Sequence, residues 1–261
     1  MLLLRTFIIS LFFCLPVHAI SSDGTPLAEE LRVFKLSTDV KLLLLKYYHV
    51  QADEGNSQLV EEVLRHRDEI AYQKDRLFQE MSEGYSEKQS RIDGHWVEFN
   101  TLLDQNINEI RESNYPELQV VTLMRKAQRA MLDELEQLSQ SILSNNEVSL
   151  SELTLWQRDQ KNLLIEVVER YIERAASSMG APLTIDSVDI NVLCQRFDRG
   201  IEDMLTRVSS SEAQRLLNKV RSQWLFIETA ATDTNARLIP FLVMRYADSI
   251  LARLDDVAHH I

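Results

Sequence analysis

Helix breakers are scarce along this chain. Its 261 residues include only 6 glycines and 5 prolines, well below the roughly 7% and 5% of ordinary globular proteins. Turns must therefore be few and the elements between them long. Leu, Glu, Gln, Arg and Ala fill those elements, and all are good helix formers. The apolar residues recur at three- and four-residue steps, the period of a helix with one buried stripe. The fold class that follows is all-α.

The breaks divide the chain into eight helices. Thr25-Pro26 opens the first, a capping hydroxyl followed by Pro at the first helical position, and Leu31, Phe34, Leu42, Leu45 and Tyr48 mark its stripe. A break at 53–56 precedes the second, whose seam steps through Val60, Val63, Ile70, Leu77 and Met81 with Arg67 and Lys74 at seam positions. Gly84 marks the next break. The third helix carries Trp96, Phe99, Leu103, Ile107 and Ile110, and Tyr115-Pro116-Glu117 starts the fourth. A break at 144–148 separates two sets of four. Ser149 with Glu152 and Ser209 with Glu212 read as capping boxes at the fifth and seventh helices. Gly180-Ala181-Pro182 stops the fifth, and the sixth runs over about 186–208. The eighth holds Val243, Tyr246, Ile250, Leu254 and Val257.

The stretch from Trp224 to Val257 repeats the plan of an earlier one. Trp224, a polar break, Pro240 and Met244-Arg245-Tyr246-Ala247 answer Trp96, a break, Pro116 and Met124-Arg125-Lys126-Ala127. Leu64 and Arg67 on the second helix correspond in spacing to Leu193 and Arg196 on the sixth. Arg67 lies 29 residues before Trp96, and Arg196 lies 28 before Trp224. The expected architecture is two consecutive four-helix up-down bundles, 20–145 and 146–261, related by internal duplication. One long merged bundle is the alternative.

Residues 1–19 read as a secretory signal peptide: Arg5, an apolar run from Thr6 to Leu15, and Val17-His18-Ala19 as the cleavage site. The product is expected in the periplasm or outside the cell, with no stable membrane insertion after cleavage. Loss of Arg5 takes the formal charge one unit below −12, a surface that repels nucleic acid. Cys194, next to Leu193, reads as a small core residue.

Chemical motifs are not found. The sequence holds no Glu-x-x-His of a di-metal bundle, no Cys-x-x-Cys-His, no Gly-x-Ser-x-Gly elbow and no Gly-rich phosphate loop. Neither an enzyme nor a cofactor or metal site is expected. The residues that stand out are cations beside apolar seams: Arg67, Arg125, Arg196 and Arg245, with Gln195 next to Arg196. A buried guanidinium must be paired, either by an acid on a neighbouring helix or by a small anion that suits its bidentate fork.

The segment Leu193-Cys194-Gln195-Arg196 resembles the Leu-x-Gln-Arg helix motif of PilJ/NarX-type sensory input domains, found in type IV pilus transducers and nitrate-responsive sensor kinases. The Trp-bearing helix and final helix that follow are similar to the later part of that family. The family usually shows an Arg-Met-Leu run before the motif and small residues after it. Here Asn191 precedes it and Phe197 and Asp198 follow. The resemblance implies a periplasmic helical bundle that senses a small ligand or a partner, with Gln195 and Arg196 at the motif and Leu64 and Arg67 as a degenerate first copy. The expected function is thus a non-enzymatic sensory or small-ligand-binding role. The alternative is an adaptor that binds another envelope protein through its helix faces.

Overall fold

The structure is a computed structural model. It describes residues 25–81, 84–177, 188–233 and 235–260. The expected signal peptide, and the stop signal at Gly180-Ala181-Pro182, lie outside the described residues. Among the described residues there are eight α-helices and no strand: α1 (Pro26–Ala52), α2 (Ser57–Glu80), α3 (Ser86–Ser113), α4 (Leu118–Asn145), α5 (Glu152–Ala176), α6 (Ile190–Arg207), α7 (Ser211–Thr232) and α8 (Pro240–His260). None is long and apolar enough to cross a membrane.

Local chemistry explains where the helices begin. The Thr25 hydroxyl accepts from the Ala28 amide with Pro26 in the first turn. The two capping boxes fall one or two residues from their expected places. Ser151 rather than Ser149 caps α5, accepting from Thr154, and Ser210 rather than Ser209 caps α7, accepting from Ala213. Each serine sits where its hydroxyl reaches the N3 amide, so the cap is chosen by reach rather than by the distant Glu. Helix α4 starts at Leu118, after Pro116, with Glu117 in extended conformation.

The helix at the centre is α1. Leu43, Leu44 and Leu45 are all buried, as are Tyr47, Tyr48, His49 and Val50. Consecutive residues on a helix point in different directions, so this helix is covered on every side. Helix α5 is similar, with Leu163, Leu164, Ile165, Val167 and Val168 buried in close succession. The two pack against each other. Helices α2 and α4 lie on α1, α6 and α8 lie on α5, and α3 and α7 pack on α4 and α8. The apolar side chains form one continuous core. Leu31, expected on the buried stripe, is exposed, because α1 is fully enclosed only from about Val40 onward. Cys194 is buried as expected, and burial pushes its thiol up to about 12.

An ion pair on a fully buried carboxylate ties the centre together. Both Arg158 guanidinium nitrogens on α5 reach the Glu30 carboxylate on α1, with Nη1 to Oε1 at 2.6 Å, and Ser139 of α4 donates to the same carboxylate at 2.7 Å. The guanidinium also stacks over the Phe34 ring at 4.3 Å. At the far end of α1, Gly55 turns the chain into α2 with φ of 81°, and a Cβ there would lie 2.8 Å from Ile110 Cγ2 on α3.

Two stability outcomes follow. Arg158→Ala leaves the Glu30 charge buried without its partner and should cost about 3–5 kcal/mol in denaturant unfolding. Gly55→Ala combines a left-handed backbone with a clash against a buried isoleucine, and a loss of about 1–3 kcal/mol is expected by the same measurement.

Candidate ligand-binding crevices

Polar side chains interrupt the core where α1, α4 and α5 meet. On α4, Arg125, Gln128 and Arg129 share one face at three- and four-residue spacing. On α5, Asn162, Glu166, Glu169, Arg170 and Glu173 do the same. With Lys41 of α1 they line a crevice of about 260 Å³. Arg125 Nη1 donates to Glu173 Oε1 at 2.9 Å, and this carboxylate is almost wholly enclosed. Arg170 pairs with Glu166 at 2.6 Å, Lys41 Nζ donates to Asn162 Oδ1 at 2.8 Å, and Gln128 donates to the Val40 carbonyl at 3.2 Å. Glu169 and Arg129 make no ion pair with another described residue.

The electrostatics follow from enclosure. Four cations, Lys41, Arg125, Arg129 and Arg170, face three carboxylates, Glu166, Glu169 and Glu173, so the crevice is locally positive in a chain of net charge −12. Desolvation raises the Glu169 carboxyl above its ordinary range, opposed by Arg125 and reinforced by Glu173. Protonation of Glu169 makes the crevice more positive still. Desolvation also draws the Lys41 ammonium below its usual range, against the pull of Glu169. The Tyr48 hydroxyl, fully buried and without a hydrogen-bond partner, sits within electrostatic reach of Arg125, Glu169 and Glu173. Burial pushes its pKa well above that of a free phenol.

The five residues singled out from the sequence are not brought together. Arg125 lies in this crevice. Arg245 lines a second one, of about 670 Å³, between the end of α1 and the starts of α2 and α8. Arg67 is taken up by Asp104 of α3 at 2.8 Å and by its neighbour Asp68. Arg196 is half exposed and meets Asp159 of α5 at 3.2 Å. Gln195 is exposed, and its carbonyl accepts from Arg199. None of these last three lines either crevice. Lys41, Arg129, Glu169 and Arg170 were not anticipated. For Glu169 and Arg170 the trace in the sequence is one polar face of α5, Asn162, Glu166, Glu169 and Arg170, at i, i+4, i+7 and i+8; Lys41 and Arg129 leave none. Among the described residues no group of His, Cys, Asp and Glu is arranged to hold a metal.

Comparison with protein-family models, with curated proteins and with solved structures found no match.

The raised Glu169 carboxyl predicts a pH-dependent stability difference. The folded protein holds this proton to higher pH than the unfolded chain, whose value is near 4.5. Stability from this group is therefore lost as pH rises from 4.5 through the folded value. Glu169→Gln should unfold at higher temperature than the parent at neutral pH, and the advantage should vanish below about pH 4.5. Melting curves across that range test it.

Proposed function

We propose that the chain is an exported, non-enzymatic helical protein that binds a small anion in the α1–α4–α5 crevice, in a sensory or ligand-binding role like that of PilJ/NarX-type input domains. The observation that carries this reading is the locally cationic crevice in an acidic chain. Arg129 is exposed at its mouth with no ion pair, and the buried Tyr48 hydroxyl lacks a partner. Guanidinium groups suit oxyanions through their paired N–H donors. An anion held between α4 and α5 would also lean on α1, against which both pack. A signal would then be a change in how these helices pack. The adaptor reading draws on exposed apolar side chains, Val97 on α3, Leu225 on α7 and Phe241 on α8.

The duplication belongs to the same proposal. The neighbours of α1 match those of α5: α2 and α4 for one, α6 and α8 for the other. The buried seams agree as well. On α4 they step Met124, Gln128, Met131, Leu135, Leu138, and on α8 Val243, Ala247, Ile250, Leu254, Val257. On α2, Ile70, Lys74, Leu77 and Met81 parallel Phe197, Ile201, Met204 and Val208. These registers align Arg125 with Met244 and Arg67 with Cys194. In that register the arginines paired by spacing alone lie one and two residues apart, and the four-three stepping that supports duplication is shared by amphipathic helices in general.

The test is a titration with nitrate, phosphate and sulfate, following melting temperature and tryptophan fluorescence. A specific anion should give a saturating fluorescence change and a melting-temperature rise that grows with the logarithm of its concentration, worth about 2.7 kcal/mol at a hundredfold excess over Kd. Arg129→Ala should abolish both without altering the unliganded melt. A fluorescence change that fails to saturate, or a melting rise that survives in the variant, is the general salt effect and would overturn the reading.

A further inference from the structure

The larger crevice has a different chemistry, and its occupant does not depend on the anion reading. Its apolar wall comes from Leu59 of α2 with Leu242, Met244 and Phe241 of α8. Phe241 is 62% exposed at the lip. A hollow of about 670 Å³ is of the size that holds a small organic ligand.

Charges of both signs ring that wall: Lys46 and Arg245 on one account, Asp53, Glu62 and Asp248 on the other. None of these five side chains makes a hydrogen bond or ion pair with another described residue. This contrasts with the α1–α4–α5 crevice, where Arg125 and Arg170 are each held by a carboxylate. His49 lines the same hollow from α1, is only 8% exposed, and its ring has no hydrogen-bond partner among the described residues.

The ring's own charge state is set by its surroundings. Burial lowers the His49 pKa, with Lys46 acting the same way and Asp53 and Glu62 opposing. It therefore faces the hollow as a neutral imidazole at pH 7, able to donate or accept one hydrogen bond.

We infer that this crevice binds an apolar amino acid or short peptide with both ends free. Its ammonium would meet Glu62 and Asp248, its carboxylate Lys46 and Arg245, and its side chain the wall of Leu59, Met244 and Phe241. The reasoning is one of complementarity. A simple anion entering here meets three carboxylates, and a simple cation meets two basic side chains. A zwitterion with an apolar body matches both signs and covers the apolar wall.

Isothermal titration of the purified protein with L-phenylalanine, 2-phenylethylamine and 3-phenylpropionate tests the assignment. Phenylalanine should bind saturably, and each analogue, lacking one charged end, should bind about tenfold more weakly or worse. Arg245→Ala and Glu62→Gln, both outside the core, should each weaken phenylalanine by a similar factor with the melting temperature unchanged. Arg129→Ala should leave phenylalanine binding intact, which separates this result from the fate of the anion site. No saturable binding of phenylalanine, leucine or dileucine would overturn the assignment. So would analogues that bind as well as the amino acid, or an Arg245→Ala variant that binds normally.

Discussion

A helix that is apolar on all sides has no stable position on a surface. It must be surrounded, and the elements that surround it are then fixed in number and place. In this chain α1 comes nearest to that condition from about Val40 to Val50, with only Lys41, Leu42 and Lys46 half-buried, and α5 around Leu163 to Val168, with only Glu166 half-buried. Their mutual burial is the constraint on which the other six helices depend. Each remaining helix has one apolar stripe, and each finds cover on α1, on α5, or on a helix already seated there. The buried Arg158–Glu30 pair sits within this junction. Removing either partner of such a pair would leave an uncompensated charge in the interior.

The same junction creates the polar crevice. A core packed around two enclosed helices does not readily admit the charges of Lys41, Arg125, Glu169 or Glu173. Where it does, desolvation acts on Lys41 and Glu169. It raises Glu169, draws down Lys41 and leaves the Tyr48 hydroxyl without a partner. Charge retained at such a position has to be compensated by neighbours or by a ligand. The two crevices differ in how far that compensation is already internal. Between α4 and α5, Arg125 and Arg170 are each held by a carboxylate, while Arg129 and Glu169 make no ion pair with another described residue; around His49 the charges act on one another without direct ion pairs among the described residues.

Much of the fold was legible in the residues. Breaker scarcity and the three-four stepping of apolar positions marked out eight helices, and the expected seam residues Val60, Val63, Ile70 and Leu77 of α2 and Trp96, Phe99, Leu103, Ile107 and Ile110 of α3 are buried. Less legible was which helix sits at the centre. The repeated Trp-to-Met stretch draws the eye to α7 and α8, yet the informative signal was the uninterrupted Leu42-Leu43-Leu44-Leu45 run. Of the candidate site residues, Arg125 and Arg245 reach crevices. Arg67, Arg196 and Gln195 do not, because a position flanking a seam specifies a helix face but not the neighbour that will cover it.

Local periodicity and the absence of breakers determined, without reference to anything distant, that the chain is helical and where most helices start and stop. These are interactions within a few residues, so the linear order contains them. Which helix packs on which, and hence whether an arginine meets Asp104, Asp159, Glu173 or an open hollow, was decided only in three dimensions. Partners of Arg125 and Arg158 lie 48 and 128 residues away, and no local pattern encodes a meeting that depends on how two enclosed helices come to rest against each other.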